Sequence, residues 1–284
     1  MSSRATKDSQ KGSARLASWQ PRTKAGKAVA LSHYDPAAKP FSSGDKAKDK
    51  AAVEALALEI DALQDKLFAD RRFKVLVVLQ GMDASGKDGT IRGVFGRVSP
   101  LGVHTVSWKA PTSDERAHDF LWRIHQRVPG AGDLMIFNRS HYEDVLVPVV
   151  LGALSPDATQ QRFRQINEFE RLLAETGTVL LKFMLHIGPD EQRERLQARI
   201  DDPTKAWKFM AADLEVRKQW NDYQGAYGAL LGATSTELAP WTIVPADSKT
   251  HRDLMIATLV RDKLRSLGLR YPAPDPALRG VKVA

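Results

Sequence analysis

Cysteine is absent from this chain of 284 residues. Its absence excludes a disulfide framework and any metal centre built on thiolates. Long apolar runs are missing too. Nowhere do about 18 apolar residues follow one another, so no segment reads as a membrane span. The opening MSSRATKDSQKGSARLASWQ has no apolar core of the kind a secretory signal needs, and a cytoplasmic location is the default expectation. Acidic residues are scarce at one end only. Residues 1–50 hold 8 lysines and 3 arginines against 4 aspartates, so they carry most of the net charge of +8 and leave the rest of the chain near neutral. A basic footprint over the whole molecule, as in a nucleic-acid binder, is therefore lacking. So is the interleaving of aromatic and basic residues expected of single-strand binders. No internal repeat is visible.

Apolar residues make up 43% of the chain, enough for a substantial core. Residues 1–28 read as a flexible basic tail and 29–50 as an irregular arm on the surface. A helix is expected over 47–69, because Val53, Leu56, Ile60, Leu63 and Leu67 fall at alternating steps of three and four. Lys74 to Gln80 (KVLVVLQ) reads as a buried strand, followed by a glycine-containing loop and a helix to about Val98. Further strands are expected at His104–Trp108, Asp133–Phe137, Thr178–Ile187 and Trp241–Val244. Thr112 and Glu115 have the spacing of a capping box, and the helix they start carries Ala117, Phe120, Leu121, Ile124 and Val128. Asp157 is positioned to cap a helix holding Phe163, Ile166, Phe169 and Leu173. Ser248 starts a final helix to about Leu267, and 271–284 is a proline-rich tail. Strands alternating with helices give an α/β fold: a parallel five-stranded sheet covered on both faces, in one domain over 29–270.

Gly81, Met82, Asp83, Ala84, Ser85, Gly86 and Lys87 fit the spacing G-x-x-x-x-G-K between the first strand and its helix. Glycines let the backbone turn tightly and aim successive N–H groups at phosphate oxygens, and the following helix adds the positive end of its dipole. Lys87 reaches the outer phosphates. Ala84, Ser85, Asp88, Gly89 and Thr90 complete the expected phosphate cradle. The Ser or Thr that usually follows the lysine and holds Mg²⁺ is missing; Asp88 stands there, with Thr90 two residues on. Asp83 inside the loop is a carboxylate among phosphates, which is unfavourable unless a cation lies between them. It is therefore the expected Mg²⁺ ligand. A second departure lies after the third strand, where Asn138, Arg139, Ser140, His141, Tyr142, Glu143 and Asp144 replace the usual metal-binding aspartate. Strand C-termini face the ligand crevice in such sheets, so Arg139 is expected to meet a phosphate. Glu143 and Asp144 are open between metal, substrate and neither. When one phosphate transfers to another the acceptor is already an anion, so no base is required of His141.

A helical lid is expected over about 190–212. Arg193, Arg195 and Arg199 lie in its first half, with Arg195 and Arg199 four residues apart and so on one face. Lys205 and Lys208 follow beyond Pro203. Such a lid screens the transferring phosphate and expels water.

The segments GMDASGKDGTIR, KAPTSDERAHDFLWRIH, FNRSHYEDVLV, DDPTKAWKF and ATSTELAPWTIVPAD together resemble the polyphosphate kinase 2 family over roughly residues 29–270. The run His141-Tyr142-Glu143-Asp144 is similar to its class III, which phosphorylates both nucleoside mono- and diphosphates. The resemblance implies a P-loop α/β/α sandwich like thymidylate kinase, homotetrameric assembly as a dimer of dimers, and Mg²⁺-dependent phosphoryl transfer. Its substrates would be inorganic polyphosphate with AMP, ADP, ATP and guanine nucleotides. It further implies catalytic roles for Asp83, Lys87 and Arg139. Asn138 stands where some relatives have Asp, and Glu143 matches the acid tied to monophosphate use. Arg193, Arg199, Lys205 and Lys208 would line the polyphosphate path. No membrane or specific nucleic acid is implied. Two other readings stay open on the residues: an ATP-dependent kinase of a nucleotide or small metabolite, and a non-catalytic polyanion-binding module.

Overall fold

The computed structural model describes residues 16–21 and 27–282, apart from the side chains of Lys208 and Leu278. Five strands form one parallel sheet: β1 (Lys74–Gln80), β2 (Val103–Ser107), β3 (Leu134–Asn138), β4 (Thr178–His186) and β5 (Trp241–Pro245). Their order is β2-β3-β1-β4-β5. The sequence β1 therefore lies between two parallel partners, which is why KVLVVLQ is apolar at nearly every position rather than at every second one. Val75 to Leu79 are all fully buried.

Helix α1 (Lys46–Asp70) packs with α2 (Lys87–Phe95), which follows β1, and with the late helix α10 (Lys249–Ser266). The seam expected from the 3-and-4 spacing is the buried one: Val53, Leu56, Ile60 and Leu67 all face the core. A second group consists of α5 (Glu143–Val150), α6 (Pro156–Glu175) and α9 (Trp220–Thr234). Ser248 caps α10 through its side chain, as expected.

Two local expectations are corrected. The box of Thr112 and Glu115 is present, but the helix it opens, α3, ends at Ala117, and a separate turn, α4, spans Trp122–His125. Between them His118 is extended, and the Asp119 carboxylate accepts the Leu121 N–H at 2.9 Å, so a local side-chain bond outcompetes helix continuation. Ser155, not Asp157, caps α6: its hydroxyl accepts the Ala158 N–H, while Pro156 and Asp157 occupy the first turn.

Of the 1–28 tail, residues 1–15 and 22–26 lie outside the described residues. Residues 16–21 are packed: Ile243 on the outer edge of β5 donates to the Trp19 carbonyl at 2.8 Å, and Trp19 meets the Tyr34 ring at 5.7 Å. Such a contact covers a strand edge that is otherwise open to pairing. Further on, Val29 bonds to the Gly228 carbonyl and Phe41 to His251 on α10, so the arm straps over both α9 and α10.

Beneath the chain leaving β3 lies a buried polar cluster. Lys182 of β4 donates to Glu170 of α6 at 2.6 Å, to the Tyr142 hydroxyl at 2.9 Å and to the Thr234 carbonyl at 2.8 Å. Tyr142 donates to Glu170 at 2.7 Å, and His141 lies 3.4 Å from the same carboxylate. Burial pushes the Glu170 pKa up, but Lys182 and His141 outweigh it and hold the group ionised, below its usual value. A buried pair of this kind is of little net stability, yet removing one partner strands the other charge. Lys182→Met is therefore expected to destabilise the fold by about 3–5 kcal/mol in denaturant titrations, and Lys182→Met with Glu170→Gln to recover most of it. A single substitution costing under about 1 kcal/mol would contradict the ion pair.

Candidate active site

The β1–α2 turn has the geometry of a phosphate loop. Gly81 and Gly86 take φ of +149° and +104°, and Ala84 is left-handed at +63°. A Cβ on Gly81 would lie 2.6 Å from the Leu185 carbonyl, and one on Gly86 1.8 Å from the Arg252 guanidinium. Gly81 thus requires glycine for conformation and for space, and Gly86 requires it for conformation.

The carbonyls of this loop from Gly81 to Gly86 all have hydrogen-bond donors. Lys87 Nζ donates to Gly81 O at 2.6 Å and to Met82 O at 3.3 Å. Gln192 Nε2 takes Asp83 O at 3.0 Å, and Arg195 Nη1 takes Ala84 O and Ser85 O at 3.0 and 3.2 Å. Gly86 O accepts from Thr90 as the first bond of α2. The N–H groups of Lys87, Asp88 and Gly89 have no acceptor within the helix and carry the positive end of its dipole.

Residues after β3 reach the same place because β1 and β3 are in register, Leu79 beside Asn138. Arg139 is left-handed at φ +63°, a strained conformation for a non-glycine residue, and it projects to Asp83, Nη2 to Oδ1 at 2.8 Å. Asn138 donates to Asp88 at 2.8 Å. Glu143 accepts from Gln80 at 2.9 Å and lies outside the cavity lining. Burial together with the like charge of Arg139 lowers the Lys87 pKa to about 8, against the opposing pull of Asp83, Glu143 and Asp88.

A cavity of about 1050 Å³ opens above the loop. Asp83, Ala84, Gly86, Lys87, Asp88 and Gly89 form its floor, with Asn138 and Arg139 at one side. Its far wall comes from α7 (Pro189–Asp201) and the segment after it, through Arg195, Arg199, Lys205, Trp207 and Met210. Arg199 and Lys205 therefore line the same cavity as the phosphate loop. Lys205 also pairs with Asp202. Arg193 does not line the cavity: its guanidinium is mostly exposed and pairs with Asp190 at 3.4 Å. The Lys208 side chain lies outside the described residues. Gly81, Ser85 and Thr90 sit behind the wall, where the Thr90 hydroxyl donates to Asp253 at 3.3 Å and so does not stand in for the missing metal-binding Ser or Thr. Lys109, Lys249 and Arg252 on the wall, and Gln192 behind it, were not singled out from sequence.

Among the described residues no group of three metal-ligating side chains occurs. The donors present fit Mg²⁺ nonetheless, since Asp83 and Asp88 offer hard carboxylate oxygens on either side of Lys87. Mg²⁺ is commonly held by one or two carboxylates, with water and substrate phosphates completing the shell.

Comparison with known proteins agrees with this geometry. The family profile for polyphosphate kinase 2 matches residues 43–268. An AMP/ADP-polyphosphate phosphotransferase of Meiothermus ruber is 50% identical over 256 residues, covering 89% of this chain and 95% of that protein. An ADP-polyphosphate phosphotransferase of Rhodopseudomonas palustris is 42% identical, over 76% of this chain and 79% of that one. The crystal structure of polyphosphate kinase 2 from Arthrobacter aurescens TC1 superposes with a TM-score of 0.87 at 40% identity, covering 92% of both chains. A phosphate loop at the end of β1, a strained arginine at the end of β3 and a cationic wall opposite them thus sit in a chain that belongs to the polyphosphate kinase 2 family.

Proposed function

We propose that the chain transfers phosphoryl groups reversibly between inorganic polyphosphate and nucleoside mono- and diphosphates, AMP to ADP and ADP to ATP, with Mg²⁺ bound at Asp83. The observation that carries this reading is the single cavity in which the phosphate loop faces Arg199 and Lys205 of the lid. Two polyanions must approach within bonding distance of each other there, and only a wall of fixed cations on both sides offsets their repulsion. The acceptor nucleotide lies across the C-terminal edge of the sheet with its terminal phosphate in the loop, and polyphosphate enters along the lid.

An oxygen of the acceptor's terminal phosphate bonds to the end phosphorus of polyphosphate as the bond to the rest of the chain breaks. The acceptor is already anionic, so no residue has to remove a proton. Mg²⁺ held by Asp83 would supply charge neutralisation for the transferring phosphoryl group. Lys87 and the N–H groups at the start of α2 hold the phosphate oxygens, Arg139 beside Asp83 neutralises charge on the transferring group, and the Asp83 carboxylate would hold the metal. Glu143, held by Gln80, is the acid we associate with monophosphate use. In cells the protein works in the cytoplasm, as a homotetramer.

A donor–acceptor matrix tests the reading: polyphosphate or ATP against AMP, ADP, GMP and GDP, with Mg²⁺. Polyphosphate should support turnover with AMP and ADP. Turnover with ATP alone as donor would instead favour an ordinary nucleotide or metabolite kinase. In the same assay Asp83→Asn should lose activity by at least about a hundredfold, partly restored by extra Mg²⁺.

Lys87 also sets a pH dependence. With a pKa lowered to about 8 by burial, its ammonium is lost from the free enzyme as pH rises through 8. The kcat/KM for polyphosphate should therefore fall above about pH 8, whereas bound phosphates favour the ammonium and shift the fall in kcat to higher pH. Superimposable profiles for the two parameters would argue against a lysine that meets phosphate.

The lid assignment makes a salt-dependent prediction. Polyphosphate offers only repeated charge, so its binding should weaken with ionic strength as a nucleic-acid backbone's does. Arg199→Ala with Lys205→Ala should raise the KM for polyphosphate at least about tenfold at low salt, with less change for ADP and a smaller effect at high salt. An unchanged polyphosphate KM at low salt would remove these two residues from the track.

A further inference from the structure

The first half of the lid does more than present cations. Gln192 and Arg195 lie one turn apart on the same face of α7. Between them they take the carbonyls of three consecutive loop residues, Asp83, Ala84 and Ser85. Arg195 uses all five of its donors: Nε to Glu191 at 2.6 Å, Nη1 to Ala84 and Ser85, and Nη2 to the carbonyls of Ala246 and Asp247 at 2.7 and 2.8 Å. It therefore ties the phosphate loop to the turn after β5 as well as to its own helix. Gln192, fully buried, receives in turn a bond from Arg217 at 2.9 Å, and Arg217 belongs to α8 (Ala211–Lys218), beyond the lid crossing. A continuous chain of bonds thus runs from α8 through Arg217 and Gln192 to the Asp83 carbonyl.

We infer that Gln192 and Arg195 are positioning residues that register the phosphate loop to the lid, so that placing the lid and aiming the loop's N–H groups are mechanically one event. The inference rests on the reading of the cavity as a phosphate-transfer site. If the loop carbonyls were free, their negative ends could turn toward the phosphates. With Gln192 and Arg195 in place they cannot, and Asp83, the proposed metal ligand, is held by its own backbone. Neither residue has to touch a substrate to act in this way. A lysine at position 195 keeps a positive charge but has three donors on a single atom, and it cannot span carbonyls on two sides.

Two measurements test the clamp. In the first, Arg195→Lys is compared with the wild type for melting temperature, kcat and KM, using whichever phosphate donor the wild type accepts. The expected result is a melting temperature within a few degrees and a kcat at least about tenfold lower, since a loop displaced by 1 Å carries a penalty of that order or more. A variant that melts lower but turns over normally per folded molecule would make Arg195 merely structural and overturn the inference. The second measurement is made on the wild type, so it stands even if the variant does not fold. Amide hydrogen exchange is followed with and without tripolyphosphate. Residues 83–89 should gain protection together with 190–197 and 211–218. Protection of the loop alone, or of no segment, would overturn the coupling. Loss of polyphosphate-dependent turnover with normal coupled protection would instead count against the proposed donor and leave the clamp standing.

Discussion

A phosphate site made of backbone depends on one accounting problem: every peptide that turns an N–H toward the anion must dispose of its carbonyl elsewhere. In this chain the solution organises the whole active end. Gly81 and Gly86 supply backbone angles that other residues adopt at a cost, and Ala84 adopts one anyway. The freed carbonyls are then collected by three side chains, Lys87 from within the loop and Gln192 and Arg195 from α7. Arg252 of α10 packs against the loop at Gly86, its guanidinium occupying the space a Cβ there would take. Helices far apart in sequence are thereby fixed to one seven-residue turn, and the cavity's other walls take their positions from them.

Charge is handled on the same plan. Arg252 is nearly fully buried and has one carboxylate neighbour in contact, Asp253 at 2.8 Å. Burial pushes the Arg252 pKa down and that of Asp253 up, the expected directions for ions taken out of water. Arg139 is neutralised by Asp83 while no phosphate is bound. Fixed cations held in this way need little rearrangement when polyanions arrive, which is the condition under which electrostatic stabilisation is most effective. Mobile cations would be more heavily screened and would lose more side-chain freedom on binding.

Much of this was legible in the residues. The phosphate loop, the five strands in their order along the chain and the basic character of the segment after β4 all follow from glycine spacing, apolar runs and charge. Strand ends shifted by a residue, as at β2 and β3, because apolar character fades gradually where pairing does not. Less legible were effects decided by one side chain competing locally, such as Asp119 interrupting α3 or Ser155 capping α6 ahead of Asp157. Arg193 illustrates a signal present but unused. At about 100° per residue it lies far around α7 from Gln192, Arg195 and Arg199, on the side facing solvent. Arg195 illustrates the opposite case. Its face was evident, but whether that face met substrate or backbone depended on which carbonyls the tertiary fold brought to it, and no local pattern encodes that. The strap formed by Trp19 on β5 was hidden for a related reason: an isolated aromatic in a basic, alanine-rich segment has no periodicity to mark it.

The register of β1 against β3 links this backbone arrangement to the chemistry. With Leu79 paired to Asn138, the two chains leave the sheet at the same level, and Arg139 and Asp83 emerge facing each other. A slip of one residue would turn every side chain of β3 to the other face and separate that pair. Apolar burial alone guards weakly against such a slip here, because β3 is buried on both faces and reads LMIFN with little alternation. The polar cluster just beyond it supplies the missing discrimination. Tyr142 satisfies Glu170 and Lys182 in only one register, and a displaced chain would leave two buried charges short of a partner. The ion pair between Glu170 and Lys182 thus acts less through the stability it adds than through the alternatives it disfavours, and the alternative it disfavours most is the one that would take Arg139 away from the phosphates.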